Sequence, residues 1–303
     1  MIRASSTGTV LKTSGIALGV AAGLSYVLWN YGYHSTNWWL VLSLYGGGLF
    51  LFGLGNFFSW RGRQYATQAG AARILADSKR EVLYLRAFQS DPAILWSKDG
   101  GPKTLEEQLA DVLRPFGNLL AIGRPGEKLP PPGGARIYAS DDEWKETVTQ
   151  RMQASRLVII RAALKENLLW ELKQAVVTLS PQKVLILVLN MKTKHYECFR
   201  TDANPMLGVP LPDAAVVRRR FGRVSGFIEF APDWKPSFLQ LRASYFRSGF
   251  YTRYLSSFKY ALRPVFESFG LEWQPPPLRL GEKVLFPMAF LLFVGLLVSL
   301  TRH

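Results

Sequence analysis

Cysteine is nearly absent from this chain: Cys198 is the only one in 303 residues. No intrachain disulfide can form, which excludes a disulfide-stapled secreted scaffold and agrees with a cytoplasmic domain. Histidine is almost as scarce, with His34, His195 and His303 scattered and only His195 near the cysteine. A zinc centre needs three or four converging ligands, and the sequence does not supply them, so no metal is expected. Negative charge is missing from both ends. No Asp or Glu occurs in residues 1–60 or after Glu282, so all 22 acidic residues lie between Arg61 and Lys283, beside 34 of the 37 basic ones, a net +12. The 48% apolar composition excludes a disordered chain, and no internal repeat is visible.

The acid-free ends read as membrane segments. Gly15 to Trp29 and Trp38 to Phe58 are uncharged and apolar, the second of the length that crosses a hydrocarbon core of about 30 Å. Trp29, Tyr31, Tyr33, Trp38, Trp39 and Trp60 stand at their ends, as rings do at an interface. Arg3 and Lys12 precede the pair and Arg61 and Arg63 follow it, while the turn has neither Lys nor Arg, so both flanks should be cytoplasmic. A cleaved signal peptide is the competing reading of the first segment. A third run, Val284 to Leu300, contains Pro287 and either crosses or dips into the bilayer. The expected organisation is a transmembrane helical hairpin at 1–60, a stalk helix at 61–80, a soluble domain at 81–270, a Pro-rich linker at 271–283 and a hydrophobic helix at 284–303. The expected localisation is a multi-pass plasma or inner membrane protein whose soluble domain faces the cytoplasm.

Strands and helices alternate in the middle of the chain. Strands are predicted at Glu81 to Phe88, Asn118 to Gly123, Arg156 to Ala163, Val184 to Leu189 and Gly226 to Ala231. Thr104 and Glu107 have capping-box spacing and start a helix whose stripe is Leu105, Leu109, Val112 and Phe116. Asp141 or Asp142 should cap a helix carrying Trp144, Val148 and Met152. A helix starting near Glu166 presents Leu169, Leu172, Val176 and Leu179 to the sheet, and a long aromatic helix should run from about Ala243 to Phe269. The strands "LVII" and "VLILVL" are apolar throughout, as strands buried on both faces of a parallel sheet must be. The predicted fold class is α/β, a doubly wound and mostly parallel five-stranded sheet. Ligands bind such sheets beyond the carboxyl ends of the strands, where the strand order reverses. That directs attention to "FQSDP", "GRPGEKLPPPGG" and "LKENLLWEL".

The segments "YLRAFQSDP", "LPPPG" and "ASRLVII" followed by "WEL" occur in the order found in TIR domains. The chain resembles that superfamily over roughly Val82 to Leu189, and "WEL" with Ala175 three residues on is similar to nucleoside deoxyribosyltransferases, which share the flavodoxin-like topology. In catalytic members of both groups the helix-borne Glu acts at the ribose. The resemblance therefore implies that Glu171 is catalytic, stabilising positive charge at the anomeric carbon or attacking it. Asp91 would join it, holding a ribose hydroxyl or orienting water. Arg124 and the amides around Gly126 would hold a phosphate, and Trp170 and Phe88 would contact the substrate. TIR enzymes usually place three residues between the Trp and the Glu, whereas Trp170 and Glu171 are adjacent. Lys165 should favour an anionic ligand and lower the pKa of Glu171. The other reading of Glu171 is a first-turn acid complementing the helix dipole.

The span from Lys192 to Arg263 holds 13 basic and 5 acidic residues, with aromatics at every fourth position near its end. Contact with anionic lipid headgroups is expected there, and nucleic acid is not an expected partner. No bound cofactor is expected; NAD or another nucleotide-like small molecule is the expected substrate. The expected function is cleavage or transfer at an N-glycosidic bond by a membrane-anchored TIR-like domain. The competing function is a non-catalytic signalling module that senses a nucleotide or self-associates as a homo-oligomer.

Overall fold

The computed structural model of the chain describes residues 46–48, 50–51, 53–65, 67, 81–87, 103–123, 131–140, 142–217, 222–242 and 254–276. The chain divides into two compact units, Met1–Ala69 and Gly70–His303.

In the first unit the described residues are helical. The Arg61 guanidinium lies 5.6 Å from the Phe57 ring centroid, and Thr67 Oγ1 donates to the Arg63 carbonyl at 3.1 Å. Among the described residues no helix is long and apolar enough to cross a membrane. The expected multi-pass localisation is corrected on this finding. The described helical residues before Arg61 and Arg63 lie within 46–60, fewer than the about 20 a span requires. The apolar segments 15–29 and 284–300 lie outside the described residues.

The second unit is an α/β domain. Its strands are β1 (Glu81–Leu85), β2 (Asn118–Ile122), β3 (Ala135–Ile137), β4 (Leu157–Arg161), β5 (Val184–Lys192), β6 (Arg223–Phe230) and β7 (Pro236–Gln240). Its helices are α1 (Leu105–Leu113), α2 (Trp144–Ala154), α3 (Glu166–Thr178), α4 (Thr193–Leu207), α5 (Leu255–Ala261) and α6 (Arg263–Ser268). The strands form one sheet in the order β3-β2-β1-β4-β5-β6-β7. The first five are parallel, while β6 pairs antiparallel with β5 and β7 antiparallel with β6. Among the described residues the sheet is thus seven-stranded and mixed rather than five-stranded.

Alternate residues of the central strands enter two separate cores. Leu83, Leu85, Leu120, Ile122, Val158, Ile160 and Ile186 face α2, α3 and α4, meeting Val148, Met152, Leu168, Leu172, Tyr196 and Phe199. Val82, Tyr84, Leu119, Ala121, Leu157, Ile159 and Leu187 face α1, α5 and α6, meeting Leu109, Val112, Phe258, Leu262 and Phe266. Each Val, Leu, Ile, Met or Phe among them stabilises the fold by roughly 1.5–3 kcal/mol through burial. With both faces covered, the apolar runs of β4 and β5 have their physical reason.

The Thr104 capping box forms as expected: Thr104 Oγ1 accepts from the Glu107 amide at 3.0 Å, and Glu107 Oε2 accepts from the Thr104 amide at 2.7 Å. Asp142 does not cap α2, whose N-cap is Glu143 without a side-chain cap bond. The expected single helix from Ala243 to Phe269 is described only from Tyr254, and there it is two short helices broken at Leu262, with Pro264 at the start of the second.

The tail of the Pro-Gly loop presses on α1. Thr104 Oγ1 donates to the Pro132 carbonyl at 2.7 Å, and the Gly134 amide donates to Glu106 Oε1 at 2.8 Å. A Cβ on Gly134 would come 2.8 Å from the Leu119 carbonyl oxygen, a backbone atom that cannot rotate away. Gly134→Ala is expected to lower stability by about 1–3 kcal/mol, as overpacking does, read as a lower urea midpoint with unchanged slope.

Candidate functional site

From β1 the chain crosses on one face, through α1, to β2, and later crosses on the other face, through α2, to β4 on the opposite side of β1. The order therefore reverses between β1 and β4, and their carboxyl ends must splay apart to leave a crevice. A cleft of about 570 Å³ lies there, lined by Leu85, Arg86 and Ala87 after β1, Ile122 at the end of β2, Trp144 at the start of α2, and residues 164–168 and Glu171 of the β4–α3 segment.

Glu171 lies on the buried side of α3 with 5% of its surface exposed. The buried positions of that helix are Leu168, Glu171, Leu172 and Ala175, a phase one residue away from the predicted stripe. Leu169 is only half-buried. The first-turn acid is the exposed Glu166, and Glu171 stands a turn further in, so the dipole role belongs to Glu166. Among the described residues Glu171 Oε2 has no hydrogen-bond partner although it is buried. Taking a carboxylate out of water without a donor disfavours its charged form, and burial pushes the Glu171 pKa up to about 8. This reverses the lowering expected from Lys165: that residue lines the cleft, but desolvation alone sets the direction.

Arg86 borders the cleft from a buried ion cluster. Its Nε donates to Glu106 Oε2 at 3.2 Å; Arg136 Nη2 donates to the same oxygen at 3.0 Å, and Arg136 Nη1 to Oε1. Burial by itself would raise the Glu106 pKa, but the two guanidinium groups outweigh it and hold the carboxyl below the ordinary range. One carboxyl of α1 is thus kept charged by its partners, while among the described residues one of α3 has no such partner at Oε2.

Of the residues expected in the site, Glu171 lines the cleft and Trp170 does not. Trp170 packs on Trp144 instead, with centroids 5.0 Å apart. Asp91, Arg124, Gly126 and Phe88 lie outside the described residues. Trp144 and Arg86 line the cleft without having been expected there. A signal for Trp144 existed: it precedes Val148 and Met152 on one helical stripe, and a helix entering a parallel β-strand begins at the carboxyl edge of the sheet. Arg86 directly follows a fully buried strand, a position where a charge needs a partner.

No family model matches the chain, and no curated protein or solved structure matches it, so these comparisons do not identify a TIR-like or deoxyribosyltransferase-like domain.

Proposed function

We propose that the cleft between β1 and β4 acts on the N-glycosidic bond of a nucleotide or nucleoside, by hydrolysis or glycosyl transfer, with Glu171 as the catalytic residue. The observation carrying this reading is a carboxyl that is nine-tenths buried, whose Oε2 has no hydrogen-bond partner among the described residues, at the reversal of strand order. A group held in that condition costs stability, and active sites are where such costs persist. The strand order supports the finer fold assignment that goes with it. Leaving out the edge strands β3 and β7, the order β2-β1-β4-β5-β6 follows the second-first-third-fourth-fifth order of flavodoxin-like and TIR-like domains, with β6 antiparallel in the fifth place.

The chemistry follows from the pKa. Near neutrality Glu171 carries a proton and can deliver it to the departing base as the C1′–N bond breaks and its electron pair leaves with the base. The resulting carboxylate faces the electron-poor sugar, stabilises its charge, and takes a proton from the water or acceptor hydroxyl that adds at C1′. The catalyst ends the cycle as it began. This step implies a nucleotide or nucleoside whose neutral base leaves on protonation; NAD, whose pyridinium departs as neutral nicotinamide without a proton, would use Glu171 only as the carboxylate that stabilises the sugar.

Incubation of the protein with dinucleotides, nucleotides and nucleosides, followed by chromatography of free base, tests the reading against Glu171→Ala. Base release by the parent and none by the variant supports it. If both proteins are inert while a nucleotide raises the melting temperature of both, the cleft is a sensor and the catalytic reading fails.

A further inference from the structure

Trp144 is half-buried at the first position of α2. Its indole rests on that of Trp170 with centroids 5.0 Å apart and planes at 44°, and Lys145 Nζ stands 5.6 Å from the Trp170 ring centroid. The arrangement is a ledge built from two helices. Trp170 contacts both a cation and a second indole, and Trp144 is supported by Trp170 while also lining the cleft. Leu85, Ile122 and Leu168 give that cleft further apolar surface. Glu171 follows Trp170 in sequence and lines the same space, so a ring seated on Trp144 brings its sugar into the cavity that holds the carboxyl.

We propose that Trp144 is the platform on which the planar base of the ligand stacks, and so the residue that selects a base-bearing ligand over a bare sugar phosphate. Trp170 is its positioning residue: it fixes the plane of the Trp144 indole without entering the cleft. The inference rests on the reading of Glu171 as the residue at the ribose, and it adds what holds the other half of the ligand. Every base offers a π face, and a rigid indole supplies contact area at little entropic cost.

Titration calorimetry of the full chain with AMP, UMP, nicotinamide mononucleotide and ribose 5-phosphate tests it. Trp144→Phe keeps a ring and is expected to hold nucleotide affinity within about threefold. Trp144→Leu keeps apolar volume without a ring and is expected to weaken the best-bound nucleotide about tenfold, as loss of a base–aromatic stack does, with ribose 5-phosphate unchanged. Trp170→Leu is expected to give a smaller loss confined to the nucleotides, rescued by Trp170→Phe. Equal losses for Trp144→Phe and Trp144→Leu, a parallel loss for ribose 5-phosphate, or wild-type protein that binds none of the three nucleotides overturns the proposal. Selective binding without base release refutes the catalytic reading alone, and base release without selectivity refutes the platform alone.

Discussion

Glu171→Gln is expected to lose base release by a factor of ~10²–10⁴, the usual contribution of a positioned proton donor, and yet to be more stable than the parent above pH 8. Glutamine matches the shape of the neutral acid but cannot transfer its proton. In the folded state burial pushes the Glu171 pKa up to about 8, against an ordinary 4.5. Between those values the folded protein binds a proton that the unfolded chain releases, so stability falls as pH rises through the window and the loss is complete above the folded pKa. At about 1.4 kcal/mol per pKa unit the difference is roughly 5 kcal/mol. The variant does not pay it. Glu81 and Glu229 are also raised, both by desolvation first, but parent and variant share them. Subtracting the two urea-derived stability curves from pH 5 to pH 9 therefore isolates Glu171: agreement near pH 5, then growing divergence in favour of glutamine. Curves that stay parallel across this range would show the carboxylate to be solvated in the native state.

Much of the central sheet was legible because its signals were local or periodic. The capping box at Thr104 needs only four residues to specify it, and the apolar runs of β4 and β5 announce burial on both faces. The phase of α3 was not legible. Leu168 and Leu169 are equally apolar, and choosing Leu169 turned Glu171 beside the stripe, whereas packing against β4 selected Leu168 and drew the carboxyl inward. Helix α4 was hidden by composition: its charged and polar residues invited a reading by charge, although the buried Tyr196, Phe199, Ala203 and Leu207 keep helical spacing. Strand β3 was concealed by chemistry. It is three residues long and centred on Arg136, whose side chain is only 1% exposed, and a buried arginine becomes intelligible only once Glu106, thirty residues earlier, is known to face it. The same gap hid Arg86. Partners that meet across a fold leave no pattern in the residues between them.

Glu106→Gln is expected to destabilise the domain by about 3–5 kcal/mol, because it removes the carboxylate that faces both guanidinium groups in a buried ion cluster. The carboxylate receives Arg86 Nε at 3.2 Å, Arg136 Nη2 at 3.0 Å and the Gly134 amide at 2.8 Å, and the Arg86 and Arg136 side chains are 3% and 1% exposed. Glutamine preserves the volume and one acceptor but leaves two guanidinium charges in the interior facing an amide. Its pH signature opposes that of Glu171. Burial would raise the Glu106 pKa, yet the arginines hold it below the ordinary 4.5, so its stabilising contribution is present above that value and is lost as pH falls through the folded pKa. The parent's advantage over the variant should therefore shrink as pH falls below 4.5 and be kept at neutral pH, which urea titrations at pH 3 and pH 7 will measure. Replacing all three members together with apolar side chains of similar volume, Arg86→Met, Arg136→Met and Glu106→Leu, should recover much of the loss, since apolar packing carries no comparable desolvation cost. That triple variant also separates stability from function. Arg86 lines the cleft, so a protein that regains its urea midpoint but not its nucleotide affinity would assign the guanidinium to the ligand, and one that regains both would confine the cluster to holding β1, β3 and α1 together.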